Sequence, residues 1–144
     1  MSEYFCELSA EGLGCISLLN VARILALAFL AVLFVQSGLD KVFDWEGNIG
    51  WLKGHFEKTP LAGMVPLMVG LITLMELVSG VVSGLGAGMI LLYGDRGLGA
   101  LGALLSTVTV LALFSGQRMA KDYPGAAVLA NYFVLCLAAI FLML

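Results

Sequence analysis

Two charged residues stand inside long apolar runs, and they are the first candidates for chemistry. Arg23 lies in the run 16–38, and Glu76 lies in the run 61–93. A charge at the centre of a membrane-spanning helix costs about 2.5–3.5 kcal/mol on insertion scales, so it is expected to pair or to face a polar cavity. If the two runs are antiparallel helices, Arg23 lies about 10 Å and Glu76 about 8 Å from the same face of a core about 30 Å thick. The matching depths predict an Arg23–Glu76 ion pair.

Three interpretations of these two charges remain open from the sequence. The pair is a clamp that joins two helices and has no chemistry of its own. Alternatively, it forms a polar pocket for a ligand headgroup or a proton. In the third interpretation Arg23 extends its side chain to the membrane surface.

A polar stripe runs along the first apolar segment. Arg23, Ser37 and Lys41 lie within about 40° of one another on a helix. Such a stripe on an otherwise apolar helix is expected to face protein rather than lipid. Asp40, beside Lys41, is expected to pair with Lys41 or with Lys53. We assign no catalytic residue; the candidates for a ligand site or an ion pair are Arg23, Ser37, Asp40, Lys41 and Glu76.

Glycines follow Glu76 along the second apolar run at steps of four residues. They are Gly80, Gly84 and Gly88. Small residues at this spacing let two helix backbones approach closely, so we predict that these three glycines form a helix-packing face. The neighbour is either the third apolar run, which carries Gly99 and Gly102, or another subunit.

Few residues are suited to holding a metal or a covalently bound cofactor. The three cysteines, Cys6, Cys15 and Cys136, form no CxxC pair, and the one histidine is His55. We therefore expect no metal site and no covalently bound cofactor. Cys6 and Cys15 either form a disulfide in an oxidising compartment or stay unpaired. No basic run favours nucleic acid as a partner.

The composition requires that these residues be positioned by membrane-spanning helices. Hydrophobic residues make up 61% of the 144 residues and charged residues only 12%, whereas soluble domains carry about 25% charged residues. We predict an all-α integral membrane four-helix bundle in one transmembrane domain, with spans at about 16–38, 61–93, 98–115 and 126–144. The second run exceeds the membrane thickness, so it must tilt, kink or project beyond the membrane, with Pro66 as one site for a kink.

The segments between the spans carry most of the positive charge. The connection 42–60 forms either a short interfacial helix or a solvated loop, since its aromatic residues stand beside charges. Residues 1–17 contain no Lys or Arg, so no cleavable signal peptide is expected. The first and third connections hold five basic residues, Lys41, Lys53, Lys58, Arg118 and Lys121. The positive-inside rule then places both termini in the periplasm.

Four sequence elements resemble a known family. They are the arginine that opens the first helix (Arg23), residues 37–43 (SGLDKVF), residues 76–80 (ELVSG) and residues 116–123 (GQRMAKDY). On these elements the chain resembles the DoxX/DoxD group of bacterial four-helix membrane proteins from residue 20 to residue 144. DoxD-type proteins are the membrane subunit of a thiosulfate:quinone oxidoreductase.

The resemblance implies a membrane subunit associated with a redox or quinone-linked complex in the bacterial cytoplasmic (inner) membrane. A quinone near Arg23 and Glu76 is then the expected ligand. Membrane lipid and other membrane or peripheral redox subunits are the expected partners. Any enzymatic activity would belong to a quinone-linked oxidoreductase rather than to this chain alone.

Two other functions are weighed against this one. The chain could be a non-catalytic accessory or scaffolding subunit of a larger respiratory or photosynthetic membrane complex, with its glycine face as the interface. A small transporter with Glu76 as the proton site is less favoured, because the two halves show no inverted repeat.

Overall fold

The computed structural model describes residues 17–144, and helices form most of this part of the chain. The helices are α1 (Leu18–Phe43), α2 (Trp45–His55), α3 (Val65–Tyr93), α4 (Gly97–Met119) and α5 (Tyr123–Met143), and a short 3-10 turn (Ala62–Met64) precedes α3. All but α2 are long and apolar enough to cross a membrane. The predicted all-α membrane helical bundle is confirmed, and the protein is a multi-pass membrane protein.

The four long helices form a closed ring in the order α1, α3, α4, α5. This is an up-and-down bundle, in which short connections keep successive long helices adjacent. Its core is apolar and includes Leu27, Leu30, Phe34, Ile90 and Val110. Large apolar side chains also cover the outside, among them Leu25, Val32, Leu67, Leu74 and Phe141. Lipid is the solvent that accommodates such an outer surface.

Helix α1 extends beyond the predicted end of its span at residue 38. Gly38 and Lys41 lie inside the helix, which ends at Phe43. A Cβ atom on Gly38 would lie 2.7 Å from side-chain atoms of Leu77. Gly38 therefore allows close packing on α3 instead of marking a turn at the membrane surface.

The start of α3 differs from the sequence prediction, and of the alternatives for this long run a kink at Pro66 is not the one that occurs. Pro66 lies in the first turn of α3, where its missing N–H would have had no partner within the helix. Helix α3 is about 43 Å long at 1.5 Å per residue. It therefore tilts within a core about 30 Å thick or extends beyond it.

Local signals account for two other helix boundaries. Gly94 ends α3 in the left-handed conformation with φ 70°, which residues with a Cβ atom adopt reluctantly. Asp122 begins α5, and its side chain accepts a hydrogen bond from the backbone N–H of Gly125 at 3.0 Å. The segment 42–60 contains a short helix, α2, rather than a loop throughout.

The question whether Cys6 and Cys15 form a disulfide falls on residues outside the described part of the chain.

Of the glycines predicted to form a packing face on α3, Gly80 makes a tight contact and Gly88 makes none within the described part of the chain. A Cβ atom on Gly80 would lie 2.8 Å from the backbone nitrogen of Val35 on α1, whereas one on Gly88 would meet nothing within 4 Å. Gly84 makes only ordinary contact, with Ala31 at 3.5 Å. Each step of four residues turns about 40° around a helix, so Gly88 no longer faces α1.

Helix α4 packs on α3 through a different set of small residues. A Cβ atom on Gly86 would lie 2.6 Å from Cα of Gly99, and one on Gly102 would lie 2.7 Å from Cα of Ser83. The Ser79 and Thr109 hydroxyls share a hydrogen bond of 2.9 Å across the same interface. The third apolar run, one of the two neighbours considered, is thus packed closely on the second through Gly99 and Gly102, but on α3 the contact is made by Gly86 and Ser83.

Candidate functional site

The most deeply buried charge in the described residues is Glu76, with 1% of its surface exposed. The Lys41 ammonium nitrogen lies 2.9 Å from Oε2 and 3.1 Å from Oε1 of this carboxylate. The Ser37 hydroxyl donates to Oε1 at 2.9 Å. Lys41 also donates to the hydroxyl and to the carbonyl oxygen of Ser37, at 2.9 and 3.2 Å. These three side chains form a polar cluster that is enclosed between α1 and α3.

The register of two antiparallel helices brings the cluster together. Ser37 and Lys41 are one turn apart on α1, so both side chains project from the same face. Gly38 packs against Leu77 and Gly80 packs against Val35, which places Glu76 opposite that face. The cluster therefore depends on the close approach of α1 and α3 at these glycines.

The predicted Arg23–Glu76 ion pair is wrong, although both side chains are buried as the sequence indicates. Arg23 donates from Nε to the carbonyl oxygen of Leu142 at 2.6 Å and from Nη1 to Oδ1 of Asn20 at 2.9 Å. Along α1, Arg23 is about 21 Å from Ser37 at 1.5 Å per residue.

The predicted pairing assumed that the second apolar helix is as long as the membrane core is thick. Helix α3 continues to Tyr93, so Glu76 lies about 26 Å from the outer end of α3, whereas Arg23 lies only about 8 Å from the start of α1. At the other end α1 continues to Phe43, and Lys41 reaches the carboxylate from within that helix.

Asp40 is exposed and forms no ion pair within residues 17–144. The prediction that it pairs with Lys41 or Lys53 is therefore wrong. One residue along a helix turns about 100°, so Asp40 projects away from the face that carries Lys41.

Oε2 of Glu76 has unused capacity to accept hydrogen bonds. This atom is buried, and no group among the described residues donates a hydrogen bond to it. Lys41 Nζ lies 2.9 Å from Oε2 and forms an ion pair with it. Buried carboxylate oxygens usually have such partners, so the cluster is electrically balanced but incompletely bonded.

A cavity of about 300 Å³ lies beside the cluster, and Lys41 forms part of its wall. The other polar lining residues are Asn48 on α2 and Gln117 on α4, and Trp51 and Phe56 contribute aromatic walls. Its volume is at the lower end of the range for small-molecule sites, which are mostly apolar with a few polar groups. Sequence reasoning missed this cavity, because it did not predict how α2 folds back on the bundle.

Helix α2 is held against the bundle at its C-terminal end. His55 Nε2 lies 2.9 Å from Oε1 of Gln117 and 3.7 Å from Oδ2 of Asp122. The ring of His55 stacks on Trp51 with the centroids 4.6 Å apart. The amide oxygen of Gln117 is thus occupied by His55, and its amide nitrogen is the donor that remains for a ligand.

The opposite end of the bundle contains a separate pair of cations. Arg23 and Arg96 both donate to carbonyl oxygens at the end of α5: Arg23 to Leu142, and Arg96 Nη1 to Met143 at 3.4 Å. Carbonyls at a helix C-terminus lack partners within the helix and attract cations. Arg23 therefore stabilises the end of α5 and does not belong to the site at Glu76.

Within residues 17–144, no group of three or more His, Cys, Asp or Glu side chains is placed to hold a metal ion. The fold and the site together define a small multi-pass helical membrane protein with a buried ion pair beside an apolar cavity.

Comparison with protein-family models, with curated proteins and with solved structures finds no match. The resemblance to the DoxX/DoxD group stays a prediction.

Proposed function

We propose that this chain is a membrane subunit of a quinone-linked redox complex and that the cavity beside Lys41 binds the quinone headgroup. The observation that carries the proposal is the cavity itself: apolar and aromatic walls with three polar side chains, Lys41, Asn48 and Gln117. The resemblance in residues 37–43 and 76–80 supports it, because both segments supply the cluster that borders the cavity. Arg23, at the other end of α1, is not part of this site.

The residues present suit a quinone. A quinone ring is flat and uncharged and carries two carbonyl oxygens, so it requires apolar walls and hydrogen-bond donors. Trp51 and Phe56 offer aromatic surface, and the amides of Asn48 and Gln117 offer donors on two different helices. When bound, the quinone would supply two-electron redox chemistry, and these residues would hold and orient its ring.

Trp51 provides a direct test, because it lines the cavity and the chain has only two tryptophans. In a Trp45→Phe background, Trp51 is the sole indole, and a bound quinone quenches its fluorescence. We expect saturable quenching when decylubiquinone is added to the purified protein in nanodiscs. Ala112 lines the cavity, so Ala112→Phe should fill the space and abolish the saturable component.

The matched control is Ala100→Phe, because Ala100 is on the same helix but on its exposed face. This variant should bind decylubiquinone as well as the parent protein does. Quenching that does not saturate, or that is equal in the two phenylalanine variants, would contradict the proposal. The accessory-subunit interpretation would then be the better one.

A further inference from the structure

We infer that Glu76 makes the cavity selective for uncharged headgroups by neutralising Lys41. This inference rests on the proposed function, since it assumes that the cavity accepts the ring of an amphiphile. It adds the class of ligand: a neutral carbonyl-bearing headgroup is accepted, and an anionic amphiphile such as a fatty acid or an ionised hydroxyquinone is rejected.

Lys41 is the one charged side chain among the residues that line the cavity. A free ammonium ion between apolar walls would attract an anion strongly, because electrostatic interactions strengthen as the local dielectric constant falls. A cavity of this kind would ordinarily suit a carboxylate headgroup. Glu76 and Ser37, which contact the Lys41 ammonium group, prevent the binding of such an anion.

The donors of Lys41 are already used within the cluster. An ammonium group has three N–H donors, and its nitrogen lies 2.9–3.2 Å from the two carboxylate oxygens of Glu76 and from the hydroxyl and carbonyl oxygens of Ser37. Glu76 also cancels the positive charge. An anion that entered the cavity would lose its hydration and would find neither a free cation nor a free charged donor.

Other titratable groups near the cavity do not change this balance. His55 on α2 is bonded to Gln117 and lies 3.7 Å from Asp122, which belongs to the turn between α4 and α5. A neutral headgroup needs only the amide donors of Asn48 and Gln117. The cavity therefore favours ligands that accept hydrogen bonds without carrying charge.

Two quinones with the same ring system, which differ in charge but little in shape, test the effect of charge. Menadione is neutral, and its hydroxylated analogue phthiocol is an anion at neutral pH. We would titrate each against Trp51 fluorescence in the Trp45→Phe background, and the signal of the Ala112→Phe variant would be subtracted to remove partitioning into the nanodisc. The parent protein should bind menadione at least about tenfold more tightly than phthiocol.

Glu76→Gln should free the Lys41 charge and lower this preference by about tenfold or more, through a gain of phthiocol affinity. Combining it with Lys41→Met removes the freed charge and should restore the preference for menadione. Leu113→Lys tests the same idea without altering the buried pair or the contacts that hold α2, because Leu113 lines the cavity and the variant adds a second cation to its wall. This variant should also gain phthiocol affinity.

The outcomes distinguish the inference from the proposed function. Equal affinities in the parent protein, or an unchanged preference in both Glu76→Gln and Leu113→Lys, would overturn the selectivity inference while the quinone site stands. Failure of the parent protein to bind either quinone would overturn the proposed function, and the inference with it.

Discussion

At the scale of single residues, the central feature is a pair of opposite charges enclosed by two apolar helices. Glu76 is 1% exposed and the Lys41 side chain is 18% exposed. Burying either charge alone would destabilise the fold. The two compensate each other, because Lys41 Nζ lies 2.9 Å from Oε2 of Glu76. Ser37 holds both groups in place through its hydroxyl. Removing one charge of the pair should therefore destabilise the protein more than removing both charges.

Lys41→Met should lower the free energy of unfolding by about 3–5 kcal/mol, because it leaves the Glu76 carboxylate buried without a cation. Adding Glu76→Gln to this variant should recover most of the loss. Unfolding followed by circular dichroism in detergent measures both effects.

Lys53→Met is the matched control, since Lys53 is exposed on α2. Substitutions at such positions usually change stability by less than about 0.5 kcal/mol. If Lys41→Met were no more destabilising than Lys53→Met, the pair would not contribute to the fold as we describe.

At the scale of helices, the position of the pair depends on how closely α1 and α3 approach. Gly38 and Gly80 each leave room for a side chain or the backbone of the opposite helix, at Leu77 and Val35. Interfaces of this kind rely on small residues, because lipid removes the hydrophobic advantage that drives helices together in water. A single methyl group added at this contact should therefore lower the stability of the protein.

Gly80→Ala should destabilise the protein by about 1–3 kcal/mol, the usual cost of overpacking a tight contact. The added Cβ atom would lie 2.8 Å from the Val35 backbone nitrogen, which cannot move without shifting α1. Gly88→Ala is the control in the same helix, because that position faces open space. Unfolding curves in detergent should separate the two variants, and equal stabilities would refute the packing role of Gly80.

Helix α2 contributes to the site in a different way. It has no fully buried residue, yet its Asn48 and Trp51 form one wall of the cavity. The contact between His55 and Gln117 holds its C-terminal end against α4. The cavity therefore exists only while this short helix is folded against the bundle.

At the scale of the whole molecule, the basic residues divide unevenly between the two ends. Contacts of His55 with Gln117 and Asp122 bring the first and third connections to the same end. That end carries Lys53, Lys58, Arg118 and Lys121 and has Lys41 just inside it, whereas Arg23 and Arg96 lie at the other. The positive-inside rule supports our proposal that the end with α2 faces the cytoplasm of a bacterial inner membrane.

A topology reporter checks this orientation. Alkaline phosphatase fused after Leu144 should be active, and green fluorescent protein at the same position should be dark, because we expect this end in the periplasm. Fusions after Lys121, in the third connection, should give the reverse pattern and serve as the control. Bright fluorescence after Leu144 would show that the topology is inverted.

The sequence by itself determined the membrane class, the four spanning helices and the burial of Arg23 and Glu76. These conclusions follow from properties that can be read along the sequence alone. A run of about 20 apolar residues is long enough to cross a membrane, and helical periodicity places Ser37 and Lys41 on one face. No knowledge of the neighbouring helix is required for either conclusion.

Only the tertiary structure decided which residues meet. The partner of Glu76, the choice of Gly86 over Gly88 and the cavity under α2 all depend on the register and rotation of one helix against another. The sequence did not show how the long second apolar run is placed along the first: α3 runs from Val65 to Tyr93, about 43 Å, against a membrane core about 30 Å thick. The excess of about 13 Å, about nine residues of helix, decides which part of α1 lies beside Glu76. Contacts between helices are therefore decided by packing in three dimensions.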